Sequence, residues 1–205
     1  AQAERMIDTL RTPLAGGASE PWPADNITRI YFDEVTPPSG QSQVDTAREQ
    51  LLDAISTGQT FTGFTGHAGP TYWGPGVLLT HHVGLMDNEG RPTLVSTLTC
   101  YTSYFVSPNT DTLGHALMAG YREDAGGQPV PGAANGAVAI HGAATLSVYS
   151  ENEAMVRAIH EHQLQGGDTL GEAIRKAQAE AAAAGMVNIA KNWALLGDPT
   201  LPVKP

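Results

Sequence analysis

Two β-rich runs, Thr60-Phe61-Thr62-Gly63-Phe64-Thr65 and Thr93-Leu94-Val95-Ser96-Thr97-Leu98-Thr99, read as strands, and a reactive side chain follows each. Cys100, the single cysteine, stands directly after the second. His67, 33 positions earlier (100 − 67), holds the corresponding place after the first. Helical spacing surrounds these runs. Val44, Ala47, Leu51, Leu52 and Ile55 predict a helix from Val44 to Thr57 that stops at Gly58, and Thr112–Tyr121 reads as another. Ser150 with Glu153, and Thr169 with Glu172, look like capping boxes opening two more, the last ending at Gly185. Strands alternating with helices predict an α/β protein with a mainly parallel sheet covered on both faces. Such sheets collect ligands at the carboxyl edge of their strands, where both reactive side chains would then lie.

The remaining segments fill in this frame. Ile27-Thr28-Arg29-Ile30-Tyr31-Phe32 alternates and predicts a further strand ending at Asp33-Glu34, with Pro37-Pro38-Ser39-Gly40 as a loop. Ala68 to Gly76 and Gly126 to Gly136 read as loops, and Ala137-Val138-Ala139-Ile140 as a short buried strand. Residues 1–26 carry a short amphipathic stretch (Met6, Ile7, Leu10), then a Gly/Pro/Ala-rich segment ending at Trp22-Pro23. They predict a tail packed on a body formed by residues 27–205. A polar start without methionine is what a processed or trimmed chain would show.

Composition narrows the function classes. Of the 205 residues 41% are hydrophobic, enough for one globular core, and no apolar run approaches the roughly 18–20 residues of a membrane span. A formal net charge of −10 disfavours nonspecific attraction to nucleic acid or anionic membrane. One cysteine builds neither an internal disulfide nor a cysteine-rich zinc site. Its thiol is left for other chemistry. Cysteine acyl transfer requires a thiolate, an imidazole to shuttle its proton and donors for an oxyanion. Cys100 and His67 supply the first two. The backbone amides of Ala68 and Cys100 are candidates for the third, because the tight Gly66–Gly69 turn leaves amides unpaired. Tyr72, Trp73 and Tyr101 are candidate walls for a bound substrate.

Each residue also has a plainer reading. A lone cysteine is commonly an inert small hydrophobe, a histidine can merely cap a glycine turn, and Tyr72 and Trp73 can be core aromatics. His81-His82, with His67, would suit a metal-dependent hydrolase, but adjacent strand residues face opposite ways, so one of the pair should be exposed. His115, His160 and His162 read as surface or satisfied helix residues. Asp198 reads as closing a turn before Pro199.

A strand ending in a Gly-His turn, followed by a second strand ending in cysteine, resembles the caspase-like clan of cysteine peptidases and, more narrowly, the gingipain family. Further blocks follow in that family's order: Ile30-Tyr31-Phe32-Asp33 before the histidine, Trp73 after it, Pro92 opening the cysteine strand, and Thr112–Met118 as the next helix. Gly136-Ala137-Val138-Ala139-Ile140 resembles the next strand, and Asn192-Trp193-Ala194-Leu195-Leu196-Gly197-Asp198-Pro199 the closing Leu-Gly-Asp-Pro signature. The resemblance implies a caspase-like three-layer α/β/α sandwich and a cysteine endopeptidase with His67 as general acid/base and Cys100 as nucleophile. It implies a peptide or protein substrate, no cofactor for catalysis, a structural calcium as an option, and a missing upstream subdomain or chain. It also implies a secreted or surface-exposed bacterial protein. Two positions depart from the family pattern: Ala68 stands where glycine is usual, and Thr99 where alanine is common. Asp33 and Glu34 are the candidates for an acidic third member. The competing expectation is a catalytically silent caspase-like binding or assembly module.

Overall fold

Side-chain alternation along the strands decides the architecture. The computed structural model describes residues 4, 7, 8, 11, 24–120 and 135–202. After α1 (Gln43–Ser56) come β1 (Phe61–Thr65), three short strands β2 (Ala68–Gly69), β3 (Tyr72–Trp73) and β4 (Leu78–Leu79), then β5 (Thr93–Leu98). They are followed by α2 (Leu113–Ala119), β6 (Ala137–Ala143), α3 (Tyr149–Gly166), α4 (Leu170–Ala183), α5 (Val187–Asn192) and β7 (Trp193–Gly197). The main sheet has the order β1-β5-β6-β7. Its first two pairings are parallel, and β6 with β7 is antiparallel.

On β5, Leu94 and Leu98 face one way and Val95 the other, so the sheet is apolar on both faces and must be covered twice. One layer is α3, α4 and α5, whose Met155, Ile159, Leu170, Ala173, Ala177 and Ile189 pack on Leu94, Leu98, Ala139 and Ala143. The other is α1 and α2 with the small sheet, where Ile55, Leu113, Leu117, Trp73 and Leu78 meet Val95 and Ile140. This is the expected three-layer α/β/α sandwich. Among the described residues no helix is long and apolar enough to cross a membrane.

Several expectations need correction. Ile27–Phe32 is not a strand: Ile27 to Tyr31 is irregular and Phe32 to Glu34 form a turn. Ile30 packs instead on a small cluster of Val35, Ala47 and Val77, and Gln43 Nε2 donates to the carbonyls of Phe32 (2.5 Å) and Val35 (3.2 Å). β-propensity forms a strand only where a ladder partner meets it. Here a cavity of about 1110 Å³ lies between the segment and β1, the outermost of the described strands on that side of the main sheet. α3 begins at Tyr149 with Val148 as its cap, because the N–H groups of Glu151 and Asn152 both reach the Val148 carbonyl (3.1 Å each). Ser150 is therefore already inside the first turn. Residues 68–76, expected as a loop, form most of the antiparallel sheet β2-β3-β4. The Gly126–Gly136 loop, apart from its last two residues, lies outside the described residues, as does most of the 1–26 tail.

Candidate active site

The register of β1 on β5 places the two reactive side chains. Phe61 pairs with Leu94 and Thr65 with Leu98, an offset of 33 throughout (94 − 61), the same spacing that separates His67 from Cys100. Each follows its strand by two residues, at the carboxyl edge of adjacent parallel strands, so the two arrive at the same rim of the sheet. Ser96 and Thr97 are wholly buried and Leu98 nearly so, but Cys100 is half-buried and His67 exposed. The chain surfaces where the chemistry-bearing side chains begin.

Beyond β1 the chain turns into the β2-β3 hairpin. Gly69 sits where an added Cβ would lie 2.5 Å from the Tyr72 ring, so a side chain there would have to push that exposed ring aside. The Gly74 N–H donates to the His67 carbonyl (2.7 Å), which leaves Ala68, paired with Trp73, at the ladder position whose own N–H points away from β3. Leu113 N–H donates to Pro70 O (2.8 Å), tying the hairpin to the start of α2. Trp73 is 1% exposed and stacks on Phe64 with ring centroids 4.6 Å apart. Tyr72 is exposed. The two aromatics thus divide, one in the core and one at the surface.

After Cys100, Tyr101 adopts φ 59°, the left-handed region that costs a bulky L-residue about 1–2 kcal/mol. It is the sole non-glycine with positive φ among the described residues. The bend is held by Tyr101 N–H on Thr145 O (3.1 Å) and Ser103 N–H on Ala143 O (3.3 Å), which press the turn against the end of β6. That brings the sulfur to Ser147, whose N–H donates to Sγ at 3.4 Å. Strain of this kind persists where surrounding contacts over-determine it, as at active sites.

Asp33 is exposed on the turn following the irregular segment and, with His67, lines the cavity beside β1. Among the described residues no hydrogen bond or ion pair joins the His67 ring to a carboxylate or to Cys100. His81 and His82 lie in a 3-10 turn, Thr80–Leu85, and do divide into one exposed and one buried ring. His82 accepts the Leu79 N–H at Nδ1 (3.1 Å), and burial, with help from the nearby Arg48 and His81, holds it down to about 4. Among the described residues no three His, Cys, Asp or Glu side chains gather as a metal site.

His162 is satisfied by Glu180 (2.8 Å), as expected of a helix histidine. His160 is not at the surface: it is 1% exposed and faces the equally buried His141. Sequence reasoning passed over His141, Ser147 and Asn152. Asp198 Oδ1 accepts the Thr200 N–H (2.8 Å) and hydroxyl (2.7 Å), closing the turn around Pro199.

The sequence profile described as Peptidase family C25 matches residues 11–204, nearly the whole chain. The chain belongs to peptidase family C25. This is the gingipain family, whose members are cysteine peptidases. Among solved structures the chain is similar to the complex of Porphyromonas gingivalis RgpB pro- and mature domains, at 21% identity and a TM-score of 0.63 over 76% of this chain and 37% of that one. The Arg-specific cysteine proteinase gingipain R (RgpB) gives 21% and 0.62, over 76% of this chain and 36% of that one. A further protease gives 16% and 0.58, over 75% and 37%. The fold of this C25 chain is thus the caspase-like fold of the gingipains. It spans little more than a third of the length of these structures. Among curated proteins none matches the sequence.

Proposed function

We propose that this C25 chain is the catalytic part of a larger cysteine endopeptidase, with Cys100 as nucleophile and His67 as general acid/base. The observation that carries the proposal is the shared register of β1 and β5, which delivers residues 67 and 100 to one rim of the sheet. His67 takes the Cys100 proton, and the thiolate adds to the scissile carbonyl. The outward N–H of Ala68 and the Cys100 N–H hold the oxyanion. The imidazolium then protonates the leaving amine, and water, deprotonated by the same ring, hydrolyses the acyl-enzyme. Thiolate and imidazole supply every step. Asp33, on the same cavity as His67, is our candidate for orienting the ring. The exposed Tyr72 and the half-buried Tyr101 are our candidates for substrate contact, whereas the buried Trp73 would act from beneath.

The likeness to a complex between RgpB pro- and mature domains supports a partner polypeptide for this chain, and family kinship supports a secreted or surface location. One observation favours the silent-module alternative: no described carboxylate bonds to the His67 ring. The test is cleavage of a mixed peptide library. Cys100→Ala and His67→Ala should each abolish turnover while circular dichroism stays unchanged. Wild-type turnover in Cys100→Ala would end the proposal.

A further inference from the structure

We propose that Ser147 and Asn152 form a positioning pair that holds the Cys100 sulfur in its ionised, reactive form; this rests on the reading of Cys100 as nucleophile. Three contacts link Ser147 to the sulfur. Its N–H points at Sγ from 3.4 Å and its hydroxyl from 3.6 Å, while the thiol hydrogen faces the Ser147 carbonyl at 3.6 Å. The carbonyl favours the thiol, and the two donors favour the anion. The ionised sulfur would therefore meet two donors, and the thiol one acceptor.

Asn152 sets the direction of the hydroxyl. Its Nδ2 donates to Ser147 Oγ at 2.8 Å, so that oxygen serves as acceptor there and keeps its own hydrogen for the sulfur. Asn152 is 2% exposed and lies in the first turn of α3, where its N–H is bound by Val148 O (3.1 Å). The opposite side is anchored by α5: Asn192 Nδ2 donates to Leu146 O (3.1 Å), and Ala144 N–H to Asn192 O (2.9 Å). Two helices therefore fix the stretch 144–147 against the sulfur. When the Sγ–H bond breaks, its electron pair stays on sulfur and the proton passes to the His67 imidazole. The donors of Ser147 are already in place to receive the charge.

The pair is tested by the rate of iodoacetamide alkylation of the intact chain from pH 5 to pH 10, with melting temperature recorded for each variant. A hydrogen bond to a charged group moves ionisation by about one to two decades, and about half of that returns as altered nucleophilicity. Ser147→Ala and Asn152→Ala should alkylate about three- to tenfold more slowly than wild type at pH 7. They should equal or exceed it at pH 10, where every thiol is ionised, and Ser147→Thr should keep the wild-type profile. A merely structural role would lower the melting temperature and leave the dependence on pH in place. Superimposable profiles for wild type and Ser147→Ala overturn the proposal. If Ser147→Ala does not fold, a wild-type profile in Asn152→Ala does the same. Alkylation needs no peptide substrate, so these profiles are read independently of turnover; cleavage surviving in Cys100→Ala would sink the nucleophile assignment instead.

Discussion

Ala68 is the residue at which this C25 chain departs from glycine, and its geometry shows why a methyl group is tolerated. It does not occupy the left-handed region, so a Cβ imposes no backbone strain. Its N–H takes no part in the β2-β3 ladder, because Gly74 bonds to the neighbouring His67 carbonyl. The group that would serve the oxyanion is thus available whichever of the two side chains is present. Ala68→Gly should leave kcat within about threefold of wild type. Ala68→Pro removes the N–H without breaking a ladder bond and should lower kcat by about 10²–10³, the usual effect of deleting one oxyanion donor. Steady-state kinetics on a common peptide decide it, and an unchanged kcat in Ala68→Pro would remove Ala68 from the site.

At the scale of elements, caps explain which boundaries hold. Thr169 and Glu172 form a reciprocal capping box: Thr169 Oγ1 accepts the Glu172 N–H, and Glu172 Oε2 accepts the Thr169 N–H (3.0 Å). The Thr169 backbone bond, followed by its hydroxyl, holds the Glu172 carboxyl below the usual carboxylate range. Thr169→Ala should cost about 1 kcal/mol and lower the melting temperature by about 2–4 °C in a thermal melt; an unchanged melt would show the cap to be idle. α1 and α2 were readable from helical spacing, α4 from its capping box, and β1, β5 and β6 from their β-rich runs. Ile27–Phe32 carries the same local signal yet finds no ladder partner among the described residues, so tertiary context overrides it. β7 follows α5 with no turn between them, since Trp193 both caps the helix and opens the strand. Its pairing with β6 is nonlocal and leaves no local trace. The site divides likewise. His67 and Cys100 are legible because each follows a strand, whereas Ser147 touches Cys100 from 47 residues away in sequence, on an aperiodic loop.

The whole molecule carries a pH dependence from its own core. His141 on β6 and His160 on α3 are 0% and 1% exposed, with ring centroids 6.4 Å apart. Among the described residues neither His141 nitrogen nor His160 Nδ1 finds a hydrogen-bond partner, and His160 Nε2 has only Ser96 Oγ at 3.5 Å. Burial holds both rings neutral, down to about 3, with His141 adding to the effect on His160. An unfolded histidine titrates near about 6.5, so below that pH the unfolded chain binds protons that the folded core refuses. Stability is then fully present above about pH 6.5 and falls as pH drops towards 3. His82, lowered to about 4, contributes in the same direction. The surface carboxylates Asp45, Glu172 and Asp198 are lowered below their ordinary values and begin to matter only further into acid, which leaves pH 5–6.5 to the histidines. By pH 5 the buried pair should have lost about 2 kcal/mol per ring, a fall of on the order of 10 °C in melting temperature relative to pH 7. His141→Phe with His160→Phe should flatten most of that slope, because an apolar ring in either place has no proton to refuse. Urea denaturation at pH 7.0, 6.0 and 5.0 measures both chains, and a wild-type midpoint that does not move between pH 7.0 and 5.0 would mean the core admits the proton after all.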